Sequence, residues 1–96
     1  MKLRSFVHKG LKTFYEDDVA KGIPANSVDK VRKMLAYFDE MEDPEELHAL
    51  TAWKAHVLKG DRKGTWSLAV TRNRRLTFRI DETGKEICDV NLEDYH

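Results

Sequence analysis

The chain has 96 residues, 41% of them hydrophobic, and its 17 basic and 17 acidic side chains cancel in the formal net charge. No apolar stretch approaches the ~18 residues of a membrane span, and Lys9 follows too early for a signal-peptide core, so the sequence predicts a cytoplasmic protein without a membrane segment. The single cysteine, Cys88, excludes an internal disulfide and leaves no cysteine-based zinc site.

The N-terminal half of the chain predicts a short strand and a short helix. The strand spans residues 3–7, and the helix follows with apolar side chains at helical spacing at Leu11, Phe14 and Tyr15. The segment Gly22-Ile23-Pro24 then breaks the helical pattern.

A second predicted helix has the clearest pattern in the sequence. Its apolar stripe runs through residues 28–41 at helical spacing, with charged side chains on the opposite side. Asn26 or Ser27 is expected to cap its start, and Asp43-Pro44 to end it.

After Leu50 the hydrophobic period changes from that of a helix to that of a strand. Strands are predicted at residues 53–58, 66–70, 76–80 and 88–92, with turns at 59–64, 71–73 and 81–84. The predicted fold class is α+β: an N-terminal strand, two helices and then an antiparallel β-meander, with the helices packed on one sheet face. At this length, residues 1–96 are expected to form one domain.

Charge is segregated along the chain although its total is zero. Six of the eight residues from 39 to 46 are acidic, whereas residues 54–79 carry eight basic side chains against Asp61 alone, a local charge of +7. Strand alternation is expected to leave Arg75, Thr77 and Arg79 in the open, on the face away from the helices. Such a basic sheet suits a phosphate backbone, although ordinary solvated strands would show the same charges.

The residues that could carry out chemistry are His56, Lys59, Arg75, Asp94, Tyr95 and His96. Cleavage of RNA by its neighbouring 2′-hydroxyl needs a base, an acid and cations around the phosphate. Histidine suits both proton transfers, arginine and lysine bind phosphate oxygens, and an aromatic ring can stack on an unpaired base. Structural roles are the alternative: a lone histidine is commonly structural, Tyr95 could cover the core, and Asp94 could form a surface ion pair.

Four segments resemble the HigB toxins of the RelE/ParE toxin–antitoxin superfamily: His56-Val57-Leu58-Lys59-Gly60-Asp61, Gly64-Thr65-Trp66-Ser67, Asn73-Arg74-Arg75-Leu76-Thr77-Phe78 and Glu93-Asp94-Tyr95-His96. Residues 5–12 and 22–25 are similar as well, so the resemblance covers nearly the whole chain. Each motif is short, and the specificity lies in their order and spacing. Val57 and Arg74 depart from the pattern, since proline and an aromatic residue are common there.

The resemblance implies an mRNA interferase, which cleaves translated messages in the ribosomal A site without a metal or other cofactor. It implies as the active-site set His56, Lys59, Arg75, Asp94, Tyr95 and His96. The implied partners are the ribosome, its mRNA and a HigA-like antitoxin with a helix-turn-helix.

Each implied active-site residue has an expected role. Arg75 and Lys59 would stabilise the charged phosphorane, and His56 and His96 would share the proton transfers. Asp94 would orient or charge one histidine, and Tyr95 would stack on or orient the message. The basic residues expected to bind RNA phosphates are Lys59, Arg62, Lys63 and Arg79.

Two alternative functions remain at this point. A ParE-like toxin that poisons gyrase would perform no RNA chemistry, and the paired histidines and the Asp-Tyr-His ending speak against it. A non-catalytic RNA-binding module would bind RNA in a salt-sensitive way and release no cut product.

Overall fold

The computed structural model describes residues 1–83 and 85–94. Its strands are β1 (Lys2–Leu3), β2 (His56–Val57), β3 (Thr65–Thr71), β4 (Arg74–Asp81) and β5 (Glu86–Asp94), and its helices are α1 (Lys9–Asp17) and α2 (Val28–Glu40). Short 3₁₀ turns lie at Ala25–Ser27, Pro44–Ala49, Thr51–Trp53 and Gly60–Arg62.

The five strands form one sheet in the order β1-β5-β4-β3-β2. Strands β2 to β5 are an antiparallel meander, with β4 in the middle, and β1 pairs in parallel with β5. The predicted α+β fold is therefore confirmed, with one addition. The sequence pattern did not predict that the first strand would join the sheet beside the last one.

The core lies between the two helices and one face of the sheet. Helix α2 contributes Phe38, whose ring lies 4.7 Å from that of Phe78 on β4, and both side chains are fully buried. The apolar stripe of α1 contributes Leu11 and Phe14 to the same cluster. Burial of these side chains supplies most of the driving force for folding, because apolar area removed from water is the dominant favourable term.

The first strand is shorter than the predicted residues 3–7, because the partner strand β5 contains a bulge. Asp89 has a left-handed φ of 55°, and the register of β4 with β5 shifts between Thr77 and Arg79. The Asp89 amide donates to the Ser5 hydroxyl at 2.9 Å, where a regular ladder would use a backbone carbonyl. Beyond the bulge, Phe6 forms only an isolated bridge to Val90.

The same bulge corrects the prediction for Cys88. Simple alternation along the predicted strand at residues 88–92 places Cys88, Val90 and Leu92 on one face. In the structure Cys88 is buried opposite Arg79, on the face away from the helices, and Ile87 takes the place in the core. An extra residue reverses the alternation on one side of a bulge, which no period-2 pattern reveals.

The predicted strand at residues 53–58 is mostly wrong. The chain forms 3₁₀ turns at Pro44–Ala49 and Thr51–Trp53, and Lys54 has a left-handed φ of 53°. Strand pairing is therefore limited to His56–Val57. Leu47, Leu50 and Trp53 share a three-residue spacing, which is the 3₁₀ period.

The predicted cap of the second helix is also corrected. Ser27 occupies the N-cap position, but its side chain makes no capping hydrogen bond. Its hydroxyl instead lies 3.3 Å from Asn26 Oδ1. The helix ends at Glu40, ahead of Asp43-Pro44, and Pro44 begins the next 3₁₀ turn.

Gly84, part of the predicted turn at 81–84, lies outside the described residues. Within residues 1–83 and 85–94, neither helix is long and apolar enough to cross a membrane.

Replacing Phe38 by alanine tests the packing of α2 on the sheet. We expect Phe38→Ala to lower the free energy of unfolding by about 3–5 kcal/mol, because the cavity removes the contact with Phe78. Lys33→Ala, on the exposed side of α2, is the matched control and should change it by no more than about 0.5 kcal/mol. Urea unfolding followed by circular dichroism measures both, and equal midpoints would contradict the assignment.

Candidate functional site

An open cleft lies on the sheet face away from the helices. It is lined by His56, Leu58, Arg62, Arg75, Thr77, Glu93 and Asp94. These residues come from β2, β4, β5 and the loop between β2 and β3, and the meander brings them together through register. His56 pairs with Ser67 on β3, Ser67 pairs with Thr77 on β4, and Arg75 on β4 pairs with Glu93 on β5.

The imidazole of His56 is exposed and held in a defined tautomer. Its Nδ1 lies 2.8 Å from the carbonyl oxygen of Lys54, two residues earlier. A carbonyl oxygen can only accept, so Nδ1 carries a proton in this contact. In the neutral ring, Nε2 is therefore the nitrogen with a lone pair, available to exchange a proton with a substrate.

Arg75 is half-buried at the floor of the cleft. Its Nη1 donates to the hydroxyl of Ser67 at 3.3 Å, and Ser67 is fully buried on the neighbouring strand β3. The pleat of β4 sends Arg75 and Thr77 to the cleft and Leu76 and Phe78 to the core. The expectation that Arg75, Thr77 and Arg79 all lie in the open is wrong for Thr77, which is only 3% exposed.

The carboxylate of Glu93 accepts hydrogen bonds from two neighbouring side chains of the cleft. Arg62 donates to its carboxylate with both Nη atoms, at 3.0 and 2.5 Å, and the Thr77 hydroxyl donates to it as well. Hydrogen bonding from Arg62 holds the pKa of Glu93 below its ordinary value of 4.5, although partial burial opposes the shift. The same contact raises the pKa of Arg62.

Asp94 lines the cleft, and its ion-pair partner is Arg74, whereas a histidine was expected. Its carboxylate lies 3.3 Å from Nε of Arg74, and Nη1 of Arg74 donates to Oδ1 of Asn26 at 3.1 Å. Both residues of the ion pair sit at the ends of their strands, where Arg74 and Asp94 are register partners. The surface ion pair considered as an alternative for Asp94 is thus present.

The remaining predicted phosphate-binding residues surround the cleft without lining it. Lys59 and Lys63 are exposed on the loop between β2 and β3, whose sharp turns use positive φ at Gly60 and Gly64. Arg79 is exposed further along β4 and donates to the Thr65 hydroxyl at 3.1 Å. Tyr95 and His96, also predicted to be catalytic, lie outside the described residues.

Leu58 and Glu93 were not among the predicted site residues. Alternation was the available signal for Glu93, because Leu92 was assigned to the core and its neighbour must point to the other face. The ion pair with Arg62 joins residues 31 positions apart and has no signature in the sequence. Over residues 1–83 and 85–94, no group of three or more His, Cys, Asp or Glu side chains is arranged to hold a metal ion.

A second groove lies on the helical side of the molecule and has a different chemistry. Its polar lining consists of Arg32 and Tyr15 with two carboxylates, Asp18 and Asp39. Arg32 pairs with Asp18 at 2.6 Å, and Tyr15 donates to Asp39 at 2.5 Å. Burial, reinforced by this hydrogen bond, raises the pKa of Tyr15 to about 12. Within the described part of the chain, this groove contains neither a histidine nor a second arginine, whereas the cleft on the sheet contains His56 with Arg62 and Arg75, so the cleft on the sheet is the candidate site.

Solved structures of two bacterial toxins share this fold. A YoeB/ParE toxin from Agrobacterium tumefaciens has a similar structure, with a TM-score of 0.60 and 22% sequence identity over 100% of this chain and 99% of that one. A YoeB dimer from Staphylococcus aureus is similar with a TM-score of 0.55 and 20% identity over the same shares of the two chains. These likenesses establish the fold.

The sequence comparisons establish the family. The family model described as the RelE-like toxin of the type II toxin–antitoxin system HigB matches residues 4–96. The "Endoribonuclease HigB" of Proteus vulgaris is 42% identical over 94 residues, which cover 98% of this chain and 99% of that protein. The chain therefore belongs to the HigB-like toxins, and the resemblance seen in its motifs is confirmed. As the toxin of a type II system, it has an antitoxin as a partner.

The pairing of Glu93 with Arg62 predicts a titration that can be measured residue by residue. In ¹³C NMR of the side-chain carboxyl groups, Glu93 should titrate below 4.5, and Arg62→Ala should move its pKa upward, because the largest lowering contribution is lost. Arg4→Ala is the matched control, since Arg4 pairs with Asp81 and Glu86 at the other end of the sheet. An unchanged Glu93 titration in Arg62→Ala would contradict the ion pair.

The sign of the linked stability follows from the direction of the shift. The pKa of Glu93 is lower in the folded than in the unfolded state, so the pair stabilises the fold at pH values above 4.5. That contribution is lost as the pH falls through the lower, folded-state value.

Proposed function

We propose that this toxin is a ribosome-dependent mRNA endoribonuclease that cleaves translated messages by metal-free attack of the 2′-hydroxyl in the cleft on the sheet. The observation that carries the proposal is that His56 and Arg75 line one cleft. Membership of the HigB-like toxins supports the endoribonuclease class, as does the full-length relative named for that activity.

His56 suits proton transfer to or from a ribose or a leaving oxygen. Its Nδ1 proton is engaged by the Lys54 carbonyl, which leaves Nε2 directed away from its own backbone contact. A histidine with one nitrogen fixed this way keeps its ring orientation while the other nitrogen gains or loses a proton. We assign the second proton transfer to His96, two residues after Asp94 in the sequence.

Arg75 suits stabilisation of the phosphorane. Its guanidinium is anchored by a buried hydroxyl, Ser67, and lines the same cleft as His56. A preoriented cation in a partly desolvated site stabilises the developing negative charge without reorganising during the reaction. Lys59, exposed on the loop that follows β2, adds a further positive charge.

The other predicted residues fit the same reaction with one change of role. We assign Arg62, Lys63 and Arg79 to contacts with flanking phosphates and Tyr95 to stacking on or orienting the message. Asp94 was expected to orient or charge a histidine. Because its carboxylate pairs with Arg74, we propose instead that it fixes the end of β5.

We also propose the partners and the location of the reaction. The message would lie in the ribosomal A site, and the ribosome would orient it, since orientation can supply a large part of the rate when the protein has few catalytic groups. A HigA-like antitoxin with a helix-turn-helix would neutralise the toxin in the cytoplasm.

The alternative functions predict different products. A gyrase poison would change plasmid topology in cells and leave messages intact. A non-catalytic RNA-binding module would bind RNA but yield no cut ends. The cleft offers a proton-transfer group beside an anchored cation, which neither alternative needs.

Replacing Arg75 tests the role of the anchored cation. We expect Arg75→Ala to reduce message cleavage in a translating extract by about 10²–10³-fold, because one preorganised donor to the phosphorane is lost. Primer extension on a reporter mRNA measures the cuts. The matched control is Arg72→Ala, which removes the same charge from the exposed β3–β4 turn and should cleave normally. Full cleavage by Arg75→Ala would refute the assignment.

Replacing the histidines tests the proton transfers. His56→Ala and His96→Ala should each lower the cleavage rate by about 10²–10⁴-fold in the same extract. His48→Ala is the control, because His48 is exposed near Glu45 in a 3₁₀ turn outside the cleft. Equal cleavage of the reporter without ribosomes would contradict ribosome dependence, and no cuts by the wild-type protein would favour the gyrase alternative.

A further inference from the structure

A carboxylate occupies the basic cleft in the free protein. Glu93 receives two hydrogen bonds from the Arg62 guanidinium and one from the Thr77 hydroxyl. It is also the cross-strand partner of Arg75, so its Cβ lies within about 5.5 Å of that of Arg75. Two cleft residues thus donate hydrogen bonds to one anion, and Arg75 lies across from it on the neighbouring strand.

The groups around Glu93 are those that bind a phosphodiester. Arginine binds carboxylates and phosphates with the same pair of parallel N–H donors, and a hydroxyl donates to either anion. Thr77 is 3% exposed and has its hydroxyl directed at the carboxylate. If Glu93 moved away, this hydroxyl and the Arg62 guanidinium would be left facing the cleft with a vacated anion position between them.

We propose that Arg62 and Thr77 form a phosphate-binding subsite next to Arg75, for a phosphodiester adjacent to the one that is cut, and that Glu93 occupies this subsite until RNA displaces it. The inference rests on the proposed function, because it assigns the subsite to the RNA strand in the same cleft. It goes beyond that function because it assigns to Glu93 a competition with the RNA phosphate for Arg62 and Thr77, which catalysis does not require.

The ion pair is suited to such an exchange. The side chains of Arg62 and Glu93 are 49% and 27% exposed, so water already reaches the pair and screens it. Arg62 ends a 3₁₀ turn in a loop flanked by two glycines with positive φ, Gly60 and Gly64. The pair is therefore replaceable by a second anion without unfolding the sheet.

The test is the affinity of Glu93→Gln for a single-stranded RNA that cannot be cut. The probe is a 2′-O-methyl oligonucleotide, which lacks the attacking hydroxyl, titrated by fluorescence anisotropy at several salt concentrations. We expect Glu93→Gln to bind about three- to tenfold more tightly than the wild type, because a charged competitor for Arg62 is removed. The slope of log affinity against log salt should steepen by about 0.7, the value for one additional phosphate contact with a single strand.

Glu86→Gln is the matched control. Glu86 lies on the same strand, is 23% exposed and pairs with Arg4 and Lys2, so the variant changes the net charge equally but outside the cleft. It should gain much less affinity than Glu93→Gln and keep the wild-type slope. In Arg62→Ala/Glu93→Gln the gain should vanish relative to Arg62→Ala, because the proposed phosphate ligand is missing.

Equal gains from Glu93→Gln and Glu86→Gln, a gain that survives Arg62→Ala, or no binding by any variant would each overturn the subsite. A gain confined to a base-paired hairpin probe would place the phosphate in structured RNA and overturn its assignment to the message strand. Cleavage by the wild-type protein in a translating extract is measured separately and tests the proposed function alone. A toxin that cleaves normally but shows none of the predicted affinity differences would lose the subsite and retain the proposed function.

Discussion

The register of β4 between β3 and β5 is the constraint on which the core and the cleft both depend. Because side chains alternate along a strand, the same stretch sends Leu76 and Phe78 toward the helices and Arg75 and Thr77 toward the cleft. A slip by one residue would bury a guanidinium against Phe38 and expose Phe78. Hydrophobic packing on one face of the sheet therefore also determines where the cations lie on the other face.

Side chains on the neighbouring strands then determine how the Arg75 guanidinium is oriented in the cleft. Ser67 on β3 orients the Arg75 guanidinium, and Glu93 on β5 lies directly across from it. Neither neighbour is needed for the core. The cleft thus consists of the polar side chains on one face of the sheet, while the apolar side chains on the other face form the core. Packing of the core therefore also holds the charged groups of the cleft in defined positions.

Much of this could be predicted from the sequence where the pattern is local. The stripe of α2 and the alternation of β4 indicated their elements and faces correctly, and the cleft contains the predicted His56, Arg62, Arg75 and Asp94. Predictions failed where the deciding contact is distant or irregular. At the bulge, Asp89 donates to the Ser5 hydroxyl, 84 residues away, and Cys88, although buried, lies on the other sheet face from the one that alternation predicts.

The local charge of residues 54–79 shows the same limit. Counting residues gives a strongly basic segment, but two of its cations, Arg62 and Arg74, are paired with Glu93 and Asp94 of β5 within the described residues. The carboxylates that moderate the field belong to a strand far along the chain, and only the folded sheet brings them near. The charge count therefore overestimated the positive field of this segment.

The position of β1 beside β5 has a consequence for synthesis of the protein. Lys2 and Leu3 pair with Glu86 and Ile87, so the sheet joins residues that are synthesised more than 80 positions apart. Contacts of such long range require closure of a large loop before they contribute to stability. While β5 is still inside the ribosome, the nascent chain lacks the strand that pairs with β1. It also lacks the side chains of Glu93 and Asp94 in the cleft. The cleft consequently forms only after synthesis of the chain has passed residue 94.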